Sequence, residues 1–172
     1  MGISSETTAP LQVVEFGPYR VLGMRYAGNS AQGECAALWE KGLMPRVGEI
    51  ATPAGCDMSF GICRCLPGAT DGSFEYIAGL PATAEAPLPA GMVELMIPAD
   101  TYAVFPVASL AELGGQWHAA FGTLNVHPDW QAYCRPGFCD CAHHPAFELY
   151  TADFATTGRL SLYLPVCPRT ER

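Results

Sequence analysis

Charge is scarce in this chain of 172 residues. Charged residues make up 15% of it against a hydrophobic fraction of 49%, a balance that belongs to a compact globule and excludes a disordered chain. Lys and Arg number nine against 17 Asp and Glu, for a net charge of -8, and the nine are scattered. A basic footprint for nucleic acid is therefore missing, and direct nucleic-acid binding is not expected. Apolar runs long enough for a membrane span are absent. Met1 to Pro10 has neither a basic segment nor an apolar core, so it lacks the form of a signal peptide. A cytoplasmic protein is the expectation, with its eight cysteines as thiols rather than disulfides. No Ser-His-Asp order, phosphate loop, dinucleotide glycine fingerprint or helix-turn-helix is present.

What is present falls into two similar halves. Val13 to Tyr26 has the pattern of an extended strand interrupted at Gly17-Pro18. Asn29 and Ser30 offer caps for a helix through Cys35, Leu38, Trp39 and Leu43, ended by Gly42 and Pro45. Met58 to Cys65 and Phe74 to Leu80 follow as strands, separated by the turn signals Pro67-Gly68 and Asp71-Gly72. A Pro- and Ala-rich linker from Pro81 to Ala90 then leads to a repeat of the order. Met92 to Pro98 and Thr101 to Val107 are expected to pair around Ala99-Asp100. A helix capped by Ser109 carries Leu110, Leu113, Trp117, Phe121 and Leu124 at helical spacing, and Ala146 to Tyr150 and Leu160 to Val166 close the second half around a turn at Asp153 to Gly158. The pattern predicts an α+β fold: a duplicated strand-helix-strand-strand unit forming sheets with two helices packed on one side, and a groove between the halves as the pocket. One domain is expected over 13–168, with halves 13–80 and 91–168, after an extended or disordered segment 1–12.

One carboxylate stands out. Glu148 lies within the apolar strand Pro145-Ala146-Phe147-Glu148-Leu149-Tyr150, and the nearest positive charges in sequence are Arg135 and Arg159. An ionised group is costly to bury unpaired. An anion walled by aromatic rings is a receptor for a lipophilic cation, since it supplies the charge while the rings supply apolar area and negative π faces. The alternative is a strand-end carboxylate that reaches water.

The succession Ile97-Pro98-Ala99-Asp100-Thr101-Tyr102-Ala103-Val104-Phe105, Trp117, Pro145 to Tyr150 and Leu162-Tyr163-Leu164-Pro165-Val166 resembles the GyrI-like effector-binding family, over nearly the whole chain from about Val13. The resemblance implies antiparallel sheets with two helices and a pseudo-twofold ligand groove, in a stand-alone small-molecule-binding protein for amphipathic, cationic aromatic ligands, acting in drug or xenobiotic sensing or sequestration. Multidrug-sensing members meet such drugs with a strand glutamate at the position of Glu148, and the position of Tyr163 supplies an aromatic wall. Trp117 and Trp39, each mid-helix in its half, are candidates to line the groove or to pack in the core. Phe60 and Tyr76 are candidates of the same kind, with packing across the sheet as their alternative role. Some similar proteins are hydrolases of reactive cyclopropane-containing compounds, a reading extended here to ester xenobiotics, in which Glu148 would be the general acid or base. A third reading is an interaction module whose partner is a protein such as DNA gyrase or a regulator.

Cysteine is where the chain departs from that family. Cys134-Arg135-Pro136-Gly137-Phe138-Cys139-Asp140-Cys141-Ala142-His143-His144 places three thiols and two imidazoles in one loop, the ligand types of zinc. Paired Cys-x-x-Cys knuckles are lacking. The expectation is a loop of reduced cysteines without a cofactor, with zinc held by Cys134, Cys139, Cys141, His143 and His144 as the alternative. Cys63 and Cys65, two apart on a strand, are expected on one face.

Overall fold

The computed structural model describes residues 10–29, 33–66, 68–135 and 137–170. The expected segment 1–12 lies largely outside them, as do Ser30 and Pro67. The strands are β1 (Gln12–Phe16), β2 (Tyr19–Gly28), β3 (Ser59–Cys65), β4 (Phe74–Pro81), β5 (Val93–Ile97), β6 (Asp100–Val107), β7 (Trp130–Ala132), β8 (Cys134–Arg135), β9 (Phe138–Cys139), β10 (Ala146–Tyr150) and β11 (Leu160–Pro168). Nine form one antiparallel sheet in the order β1-β6-β11-β10-β3-β4-β2-β5, with β7 added to β11, while β8 and β9 make a separate hairpin. The fold is α+β: a curled antiparallel sheet with two helical segments packed against it.

The order is a mirror image about its centre. β1-β6-β11-β10 of one side matches β5-β2-β4-β3 of the other, and the sides meet where β10 pairs with β3. The first strand of each half crosses to the edge of the opposite half. This corrects the expected hairpin of Met92–Pro98 with Thr101–Val107, because β5 pairs with β2 while β6 pairs with β1 and β11. Pro98 at the corner has no N–H for a hairpin ladder, and each strand finds an open edge elsewhere. The break at Gly17-Pro18 performs the same separation of β1 from β2. Gly17 has φ of 94°, and a Cβ there would overlap the carbonyl oxygen of Pro98 where the two corners cross, so both conformation and space call for glycine.

The first helical segment is irregular. α1 (Glu34–Ala37) runs into a π-helical turn at Leu38–Leu43 and a 3-10 stretch at Met44–Glu49. The expected stop at Gly42 and Pro45 is thus overrun: Pro45 sits in the first turn of the 3-10 stretch, where its missing N–H costs nothing. In the second half a 3-10 turn (Leu110–Glu112) leads into α2 (Leu113–Val126). Ser109 precedes it in extended conformation without a side-chain capping bond. A short α3 (Phe154–Thr157) fills the turn before β11.

Both helical segments lie on one face of the sheet. Ala120 and Leu124 of α2 pack with Phe105, Leu162 and Leu164, and Leu43 of the first segment packs with Leu22 and Ala78. The other face is buried by the sheet's own curl, in a cluster of Phe60, Ile62, Ile77, Tyr102 and Phe147 closed by Phe16 and Tyr19.

Candidate ligand-binding site

The central strand pair sets the site. Phe60-Gly61-Ile62 of β3 and Phe147-Glu148-Leu149 of β10 are alike except in the middle, where Glu148 lies directly across from Gly61. A Cβ at Gly61 would overlap both the Tyr76 hydroxyl and Oε2 of Glu148. Glycine on one half is therefore what leaves room for the carboxylate of the other. Strand alternation then turns Glu148 toward the helices and Phe147 and Leu149 toward the opposite core.

Glu148 is only 4% exposed. The hydroxyls of Tyr76 and Tyr150 each donate to Oε2 at 2.8 Å, and the indole N–H of Trp117 points to Oε1 at 3.4 Å. Trp39 donates in turn to the Tyr76 hydroxyl at 2.8 Å. The two tryptophans thus reach the same carboxylate from the two helical segments, one directly and one through a phenol. No Lys, Arg or His among the described residues pairs with Glu148. The contrast is Glu75, the other buried carboxylate among the described residues, whose two oxygens are taken by Arg25 and Arg64. Burial raises the Glu148 pKa above the ordinary carboxylate range, and the bonds from Tyr76, Tyr150 and Trp117 only partly offset it.

Space adjoins this anion on two sides. A cavity of about 540 Å³ extends toward α2, past Trp117 and Phe121, and one of about 590 Å³ extends toward the first helical segment, past Trp39 and Phe154. Glu148, Tyr76, Cys35, Leu110 and Leu113 border both. Leu110 and Met44 at the rim are large apolar side chains left more than half exposed. Burial, followed by the nearby Glu148 charge, pushes the Cys35 thiol up to about 11, so it stays protonated and lines the space as a small apolar group. Two apolar cavities large enough for a small molecule thus share one carboxylate that no cationic side chain among the described residues neutralises.

Of the residues singled out from sequence, Glu148, Tyr76, Trp117 and Trp39 come together here. Tyr163 and Phe60 do not. Tyr163 pairs in register with Phe147, not Glu148, and stacks on that ring at 5.0 Å in the opposite core, where Phe60 is also fully buried. A side chain one residue out of register with Glu148 faces away from it. Tyr150 and Gly61 were missed. Tyr150 lies two residues from Glu148 on the same strand face, so alternation alone carried that signal.

The cysteine loop gathers differently from the histidine-containing set suggested by its sequence. Sγ atoms of Cys65, Cys134, Cys139 and Cys141 lie within 4.8 Å of one another, and Cys63 faces the cavity beside Glu148. His143 turns to Asp140 at 2.6 Å, and His144 to Asp100 at 2.5 Å with its ring stacked on Tyr133. The imidazoles are thus engaged by carboxylates rather than by the thiol cluster.

Comparison with known proteins fits this architecture. Residues 12–166 match the Cass2 family model, described as integron-associated effector binding protein. The transcriptional regulator BrlR of Pseudomonas aeruginosa is 38% identical over 94 residues, a stretch that spans 55% of this chain and 33% of the regulator. Among solved structures, SAV2435 bound to tetraphenylphosphonium superposes with a TM-score of 0.68 at 15% identity, covering 92% of this chain and 94% of that one. An integron cassette protein from the mobile metagenome of Vibrio cholerae gives 0.63 at 13% identity, covering 92% and 97%. A bacterial transcription regulation protein from Staphylococcus aureus gives 0.63 at 14%, covering 91% and 97%. These structural likenesses establish a shared fold.

Proposed function

This chain belongs to the Cass2 family of integron-associated effector-binding proteins, and on that premise we propose that it is a receptor for amphipathic, cationic aromatic small molecules, held with their charge against Glu148. The observation that carries this reading is the buried carboxylate that three aromatic N–H and O–H donors hold in place and no cationic side chain among the described residues neutralises. A cation entering either cavity supplies the missing charge, and the rings of Trp39, Tyr76 and Trp117 supply flat apolar area around it. Tetraphenylphosphonium, present in SAV2435, is a lipophilic cation of this class. The negative net charge of -8 adds a field that favours cations over neutral competitors during encounter.

Titration of tryptophan fluorescence with tetraphenylphosphonium tests the proposal. Quenching that saturates, together with weaker binding of the neutral triphenylphosphine oxide, is the expected result. Equal affinity for the cation and the neutral compound would remove the role assigned to Glu148.

A further inference from the structure

The four sulfurs of Cys65, Cys134, Cys139 and Cys141 come from three separate pieces of chain. Cys65 ends β3 of the main sheet, Cys134 and Cys139 face each other across the β8–β9 hairpin, and Cys141 lies in the turn that follows. The separations are 3.4 Å for Cys65 to Cys139, 3.7 Å for Cys65 to Cys134, 3.3 Å for Cys139 to Cys141 and 2.6 Å for Cys134 to Cys139. A tetrahedral zinc with Zn–S bonds of about 2.3 Å has S···S edges of about 3.8 Å; the separations of 3.3 to 3.7 Å approach that edge, and Cys134 to Cys139 at 2.6 Å would have to open onto it. The backbone N–H of Cys65 donates to Sγ of Cys141 at 2.9 Å, the kind of outer contact that holds a ligating thiolate.

We propose that these four cysteines form a structural zinc site that clasps the β8–β9 hairpin to the end of β3. Four cysteines converging with no histidine or carboxylate among them suit zinc, which prefers a closed tetrahedral thiolate shell in structural sites. Binding replaces the four S–H protons by four Zn–S bonds, with the protons released to solvent and no change of oxidation state. Cys65, Cys134 and Cys141 also border the cavity beside α2, so the clasp forms the far wall of that space. Sequence spacing did not reveal the site, because Cys65 arrives from the other half of the chain, brought there by the β3–β10 pairing at the seam.

Elemental analysis of the whole protein, expressed with zinc in the medium and purified without chelator or added metal, is expected to return one zinc per chain. Cys139→Ser and Cys141→Ser should each lower zinc retention about tenfold or more, while Cys56→Ser, outside the cluster, leaves it at one. Wild-type protein refilled with cobalt should develop the intense bands of tetrahedral cobalt thiolate, a readout that needs no variant to fold. Zinc content near zero in the wild type, iron in its place, or a Cys134–Cys139 disulfide found by mass spectrometry in freshly purified protein would each overturn the assignment.

Discussion

Replacing Glu148 by glutamine separates charge from shape. The side chain keeps its length, and a carbonyl oxygen still accepts from the Tyr76 and Tyr150 hydroxyls that bond Oε2 at 2.8 Å. What is lost is the charge in a site only 4% exposed. Truncating one partner of a desolvated charge pair costs about 2 to 5 kcal/mol, so tetraphenylphosphonium should bind Glu148→Gln roughly 30-fold to more than 1,000-fold more weakly. Triphenylphosphine oxide should bind both forms alike. The pH dependence provides a second handle. Since burial raises the Glu148 pKa, the folded protein holds that proton more tightly than the unfolded chain. Its contribution to stability is full below the ordinary carboxylate pKa, falls as pH rises through the raised value, and is flat beyond it. Glu148→Gln should erase that slope and be more stable than wild type near neutral pH, by about 1 kcal/mol. Cation affinity should climb over the same pH window in wild type and stay level in the variant. Isothermal titration at several pH values, paired with urea unfolding, measures both. Undiminished affinity in the variant would refute the receptor reasoning, and a variant less stable than wild type at neutral pH would refute the claim that Glu148 is held there at a cost.

Other perturbations test the remaining parts of the site. Tyr150→Phe removes one of the two phenol donors to Oε2, worth about 1.5 to 3 kcal/mol for a bond to a charged group, and should move the pH midpoint of cation binding upward in the same titration. Gly61→Ala places a methyl group on the Tyr76 hydroxyl and Glu148 Oε2; overpacking of about 1 to 3 kcal/mol should appear in urea unfolding, with weakened ligand binding. Tyr163→Ala should lower stability by about 2 kcal/mol through lost packing with Phe147 yet leave tetraphenylphosphonium affinity unchanged, in contrast to Trp117→Ala. Incubation with activated esters or strained-ring probes should yield no product, as judged by mass spectrometry; product that disappears in Glu148→Gln would replace the receptor by a hydrolase.

Residue type and alternation made Glu148 legible in the sequence, because a carboxylate in Ala-Phe-Glu-Leu-Tyr has to be explained by pairing or exposure. The helical spacing of Trp39 and Trp117 likewise put both on helices, and the duplicated order of elements was visible in turn residues. Partnering between strands was not. Whether Tyr163 shares a face with Glu148 depends on a single residue of register between β10 and β11, and register is set by the whole sheet rather than by either strand. The π-helical turn at Leu38–Leu43 was also hidden, since its apolar spacing differs little from that of an ordinary helix over so short a length. Strand alternation groups Cys65 with Cys63, its neighbour on the strand, although Cys65 meets the sulfurs of Cys134 and Cys139 from the opposite half of the chain.

The exchange of β1 and β5 between the halves governs how this molecule comes together in time. Gln12 must find Val104, and Tyr19 must find Ile97, before either half has its outer edge. Closing such long loops is entropically expensive and comes late relative to local contacts, so synthesis of the first half alone leaves β2 without its edge partner until β5 has emerged. Each half thus supplies the outermost strand of the other, and neither edge of the sheet is complete until both halves are in place.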